Sequence, residues 1–157
     1  MIDTPDGGKD AALRPNQIFC VSLPVSPLHP EQQKLVVDVC MEQLLTPCGL
    51  RSLGPTEPAY IGNYSGGPSE RDAAYHQGTV WSWLLGPFVS AYLRVYRDPA
   101  AALKFLEPLG QQINERGLGT LPEIFDGDEP HTPRGCIAQA WTVAEVLRAW
   151  KEAAMFK

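Results

Sequence analysis

The sequence holds no apolar run close to the roughly 20 residues that a bilayer-spanning helix needs. It also has no basic stripe: its 13 Lys and Arg are scattered singly among 18 Asp and Glu, for a net charge of -5. The first absence excludes a membrane-spanning helix, and the second argues against a nucleic-acid partner while leaving neutral or cationic ones open. The opening Met1-Ile-Asp-Thr-Pro-Asp-Gly-Gly8 lacks the basic and apolar parts of a secretory signal, so a cytoplasmic location is expected. Cys20, Cys40, Cys48 and Cys136 show no C-x-x-C spacing. Three of them lie in or beside apolar helical patterns, which reads as small buried thiols rather than a disulfide or zinc framework. There is no H-E-x-x-H, no phosphate-binding P-loop and no G-x-S-x-G, and Gly117-Leu-Gly119 lacks the third glycine and the preceding strand of a dinucleotide site. Asp126-Gly-Asp128 does not continue into the oxygen-ligand spacing of a calcium loop. No metal and no cofactor is expected.

What is present suits one soluble domain over residues 1–157, with 44% apolar and 20% charged residues. Five helical stretches are predicted, so the expected class is all-α. A short buried one runs from Asn16 to Leu23. A second starts at Pro30, a residue suited to a first helical position. It places Leu35, Val36, Val39, Cys40 and Leu44 at helical spacing and stops near Pro47 and Gly49. Gly78 to Tyr96 is apolar nearly all round, which predicts a helix buried on every side and kinked at Gly86-Pro87. Asp98-Pro99 reads as an N-cap and first helical residue, followed by a stripe of Leu103, Leu106, Leu109 and Ile113 up to Gly117. The last helix covers Cys136 to Ala154. Because the odd helices are apolar on most sides and the even ones amphipathic, two layers are expected, odd inside and even outside. The long polar loops Met1 to Pro15, Leu50 to Gln77 and Leu118 to Gly135 then emerge at one end, and function is expected there.

The last of those loops crowds four carboxylates, a histidine and an arginine among three prolines. Glu123 stands apart, because Leu121, Pro122, Ile124 and Phe125 surround its carboxylate with apolar groups, as a general acid or base requires. Asp126, Asp128 and Glu129 suit a solvated turn. The same end collects Arg14, Asn16, Tyr75, His76, Gln77, Trp81, Asp126 and His131. Planar aromatics beside a few directional polar groups are what a sugar ring needs. Trp83, Trp141 and Trp150, within helices, read as core packing, and Arg71 with Asp72 as a local ion pair.

Several ordered strings carry a resemblance: Leu13-Arg-Pro-Asn-Gln17, Gly49-Leu-Arg-Ser-Leu53, Tyr75-His-Gln-Gly-Thr-Val-Trp81, Leu85-Gly-Pro-Phe88, Pro122-Glu-Ile-Phe-Asp-Gly127 and Pro133-Arg-Gly-Cys-Ile-Ala-Gln-Ala-Trp141. Together they resemble the C-terminal glucosidase domain of glycogen debranching enzymes, the amylo-α-1,6-glucosidases. The resemblance implies an α/α toroid of six helical hairpins and hydrolysis, with inversion, of the glucose left at a glycogen branch point. It further implies that Glu123 is the general base, that His76, Gln77 and Trp81 line the glucose subsite, and that Arg14 and Asn16 brace it. Five helices make only a partial toroid, and the family's general acid has no counterpart in this sequence. The expectation is the C-terminal segment of such a domain, with glycogen or a branched α-glucan and the N-terminal part of the same enzyme as its partners. A glucoamylase-like or trehalase-like hydrolase, and a non-catalytic carbohydrate-binding module, are the alternatives.

Overall fold

The computed structural model describes residues 2–3, 5–115 and 118–157. A two-residue pair, β1 (Ile2–Asp3) with β2 (Lys9–Asp10), precedes a 3-10 turn at Pro15–Ile18 that runs into α1 (Phe19–Ser22). Then follow α2 (Pro30–Gln43), β3 (Leu45–Thr46), β4 (Gly49–Arg51), α3 (Pro68–Ala74) and β5 (Val80–Trp81). A second 3-10 turn, Ser82–Leu84, leads into α4 (Leu85–Tyr96), α5 (Pro99–Lys104), α6 (Glu107–Glu115), β6 (Ile124–Phe125), β7 (Pro133–Arg134) and α7 (Ala140–Ala154). No helix among the described residues is long and apolar enough to cross a membrane.

About half of the chain is helical, but the all-α expectation is corrected by a five-stranded antiparallel sheet in the order β3-β4-β5-β6-β7. Its register pairs Leu50 with Trp81, Trp81 with Ile124, and Ile124 with Arg134. The strands are two or three residues long, too short to show the alternation by which a strand is read. The sheet also shortens the third predicted helix, since Val80 and Trp81 are extended and the helix proper starts at Leu85. Gly86 and Pro87 therefore fall in its first turn rather than its middle. A proline there removes an N–H that has no helical partner anyway, so it starts the helix and does not kink it.

Proline at the first helical position opens α2, α3 and α5. Asp98 Oδ1 accepts from the N–H of Ala101 at 3.0 Å, and Pro99 opens α5 as expected. Pro108 divides the predicted fourth helix into α5 and α6, because it cannot donate back to the preceding turn; the expected stop at Gly117 lies outside the described residues. On α2 the buried positions are Val37 and Cys40, followed by Leu44 just past its end, and Leu35 is exposed, so the inward stripe is rotated from the predicted one. The fifth helix begins at Ala140, after an extended Gln139.

The layering holds. α4 lies at the centre, buried along Leu85, Phe88, Val89, Ala91 and Leu93, with α7, α1 and α2 packed on it and α5 bridging α4 to α7. Gly86 leaves room for the Glu145 side chain of α7, which a Cβ there would crowd. Phe125 and Ile124 are sealed from water and join this core from the sheet, each contributing about 1.5–3 kcal/mol before ordering costs. Cys40 and Cys48 are buried, which pushes their thiols up to about 12 and about 11, but Cys136 is exposed, contrary to the buried-thiol reading.

Candidate active site

Hydrogen bonds tie the three long loops together at one end. The N–H of Gly54 donates to the Leu13 carbonyl at 2.9 Å, and that of Gly127 to the Gly62 carbonyl at 2.6 Å. Arg14 spans two of the loops, donating through Nη1 to the carbonyls of Ser52 (3.2 Å) and His76 (2.8 Å) and through Nη2 to Gln77 Oε1 (3.0 Å). Arg14 thus braces Ser52, His76 and Gln77, and the Gln77 side-chain oxygen is committed to it.

Above this brace lies a cleft of about 350 Å³ lined by Arg14, Asn16, Phe19, Ser52, His76, Trp81, Trp83 and Trp141, a size ordinary for a small-molecule site. His76 stacks on Trp81 at 5.2 Å and 7°, Trp81 meets Trp141 edge-on at 6.0 Å, and Trp141 stacks on Trp83 at 5.1 Å. Phe19, Ser52, Trp83 and Trp141 belong to the cleft although the sequence reading leaves them out, and Trp141 is 45% exposed rather than core. The signal for Trp141 is its place in the first turn of the helix that follows the acidic loop. Trp150 is also no core residue, being 57% exposed on the same helix.

Glu123 is not in that cleft. It lines a neighbouring groove of about 480 Å³ with Tyr64, Arg71, Asp72, Tyr75, Gly135 and Cys136, and the two depressions share no residue. The wall between them is Tyr75 against Trp81, edge-on at 4.8 Å. Glu123 is 8% exposed. Tyr75 donates its hydroxyl to Oε1 at 2.5 Å, the backbone N–H of Cys136 donates to Oε2 at 2.9 Å, and Gln139 Nε2 lies 3.4 Å from Oε1. Burial works to raise the carboxyl pKa, but the donors from Tyr75 and Cys136, helped by Gln139, outweigh it and hold the group below the ordinary glutamate value. The converse holds for Tyr75, whose phenol is pushed up by burial and by the Glu123 charge and so keeps its proton. Gly135, at φ 66°, is required here, since a Cβ would strike Glu123 Oε2. Neither Cys136 nor Gln139 is foreseeable from residue type, because one acts through its backbone and the other looks like an ordinary helix entrance.

Asp126 is not part of a solvated turn. It is 3% exposed, accepts the N–H of Tyr64 at 2.8 Å and pairs with Arg134 Nη2 at 2.9 Å. His131 turns its Nδ1 to the Asp126 carbonyl at 3.0 Å. Both residues line neither the cleft nor the groove. Asp128 is exposed and bonded to Tyr60 and Asn63. The expected pair of Arg71 with Asp72 does not form; both simply border the groove.

Comparison with known proteins gives this end a context. The glycogen debranching enzyme of Saccharomyces cerevisiae is 35% identical over 92 residues, which cover 54% of this chain and 6% of that enzyme. The chain therefore spans a small fraction of the length of that relative. The model of the amylo-alpha-1,6-glucosidase family matches residues 1–148, a range that contains all three loops, the cleft and the groove, and this chain belongs to that family.

Proposed function

We propose that this chain is the base-carrying part of a glycogen-debranching α-1,6-glucosidase, in which Glu123 accepts the proton of the water that attacks the branch-point glucose. One observation carries the reading: a buried carboxylate receives hydrogen bonds on both oxygens and is thereby held ionised. An inverting glycosidase uses one ionised carboxylate to activate water and one protonated carboxyl to release the leaving oxygen, roughly 6.5–9.5 Å apart. As water attacks the anomeric carbon from one face, the bond to the leaving oxygen breaks with its electron pair, and that oxygen takes a proton from the acid. Donors on both oxygens suit Glu123 to the first role and unfit it for the second.

The acid is proposed to come from a part of the enzyme beyond these 157 residues. Asp126 is already paired with Arg134, and Asp72 is exposed on α3, whereas a glycosidase acid sits in an apolar pocket. In the same proposal α1, α4 and α7 are inner helices of an α/α toroid, the cleft around Trp81 takes the glucose, and the enzyme works on glycogen or a branched α-glucan in the cytoplasm. The test is Glu123→Gln in the enzyme that carries this segment. Turnover on a branched limit dextrin should fall by about 10² to 10⁴, the usual worth of general-base catalysis, with affinity for a glucose-like inhibitor retained. Near-normal turnover would overturn the assignment.

A further inference from the structure

We infer that Tyr75 is a positioning residue, whose phenol locks the Glu123 carboxylate in one orientation and links it to the aromatic cleft through Trp81. The inference rests on the base reading of Glu123 given above.

Tyr75 follows α3 directly and its main chain is pinned to the sheet: its carbonyl accepts from Thr79 Oγ1 at 2.6 Å and from the Trp81 indole Nε1 at 3.1 Å. From that anchor the ring crosses edge-on to Trp81 and its hydroxyl reaches Glu123 Oε1 at 2.5 Å. An ionised carboxylate has no proton to give, so the phenol donates. On the other oxygen stands the Cys136 N–H at 2.9 Å. Two donors from separate segments, one on each oxygen, remove rotation about the last side-chain torsion; Gln139, at 3.4 Å, is too long to do the same. The hydroxyl read from sequence as a sugar contact is therefore spent on the carboxylate. Tyr75 thus contacts both sides, holding Trp81 through its backbone carbonyl and Glu123 through its phenol.

The other groups around the carboxylate do not replace the phenol. Arg71 and Asp72 come from α3, Tyr64 from the loop before it, and the Cys136 thiol and Gln139 amide from the entrance of α7. Arg71 is the one cation among them, and it forms no ion pair with Glu123.

The test is Tyr75→Phe, read in two ways. In carboxyl-13C NMR of the chain, with Glu123 assigned by loss of its signal in Glu123→Gln, the variant's carboxyl should titrate at higher pH than the parent's. In the enzyme that carries this segment, the acid limb of the rate profile should move the same way. There kcat at the optimum should fall about 10- to 100-fold, the worth of one hydrogen bond to a charged group, and KM should stay within about twofold, as expected when a transition-state contact alone is lost. An unmoved titration, or a raised KM with kcat intact, overturns the inference; the second result would make Tyr75 a sugar contact. If the variant fails to fold, 3-fluorotyrosine at position 75 supplies a more acidic donor of nearly the same shape. It should move the titration to lower pH, and no movement would equally refute the role. Full turnover in Glu123→Gln would sink the base reading, and the NMR titration would still decide whether the phenol holds the carboxylate.

Discussion

The two ends of β6 carry carboxylates with opposite surroundings. Glu123, just before the strand, and Asp126, just after it, are 8% and 3% exposed. Asp126 is neutralised by the Arg134 guanidinium, and its remaining acceptor capacity goes to a backbone N–H that shapes the loop. Glu123 meets only neutral donors, so its charge is stabilised without being cancelled, and it borders a groove. Burial alone thus does not mark a working carboxylate. What distinguishes them is whether the charge stays available to something that enters from outside.

The sharpest way to break the contrast is to remove each charge. Glu123→Gln should lower turnover about 10²- to 10⁴-fold while the protein still folds, because Gln fills the same space. Asp126→Ala should do the reverse. It leaves Arg134 and the Tyr64 N–H without their partner, at a cost of about 1–3 kcal/mol, while turnover per folded molecule is kept. Calorimetry and limit-dextrin assays on both variants check this, and an inactive but fully stable Asp126→Ala would erase the distinction.

Next in size is Gly135→Ala. Its φ is 66° and its Cβ would strike Glu123 Oε2, so the substitution should cost about 1 kcal/mol or more in stability. It should also lower kcat by displacing the base, with KM little altered, in a kinetic comparison with the parent.

Acid dependence gives a smaller but signed effect. The folded pKa of Glu123 is depressed below the ordinary 4.5. Its contribution to stability is therefore complete above that value and is lost as pH falls through the folded pKa. Glu123→Gln should flatten this part of the stability curve, measured as denaturation midpoint against pH: the variant lies below the parent near neutrality, where the charge contributes fully, and the two converge as pH falls through the folded pKa. An unchanged acid slope would mean that the donors do not hold the charge.

How far this was readable follows from distance along the chain. Helices are legible because their periodicity and caps are local: Asp98, Pro99 and the apolar length of α4 announce themselves, whereas the break at Pro108 is hidden by a leucine stripe that runs across it. The sheet is not legible, because Leu50 finds Trp81 and Trp81 finds Ile124 only after the intervening segments fold. Glu123 is legible from its apolar neighbours. Its donors are not, since Tyr75 lies far upstream and Cys136 offers a backbone N–H that every residue but proline possesses. The same gap explains why a single predicted sugar site resolves into a cleft and a groove: sequence places residues at one end of a helical array but not on one side of a tyrosine.

The smallest effect concerns a region unlike either end of β6, the outer face of α7. Leu147 is 61% exposed and Trp150 57% exposed, beside a mostly apolar groove of about 370 Å³ formed with Leu103, Leu106 and Ile113. Contiguous apolar surface of this kind drives association, so the isolated 157-residue chain should sediment as more than a monomer at micromolar concentration. Leu147→Lys places a charge where the side chain already faces water, which changes folding stability by no more than about 0.5 kcal/mol. Association should weaken, because the charge must be desolvated when two such faces meet. Sedimentation of both proteins, with melting curves alongside, separates the two quantities. A parent chain that runs as a compact monomer would show that this face needs no cover, and a Leu147→Lys chain that associates as strongly as the parent would move the contact elsewhere.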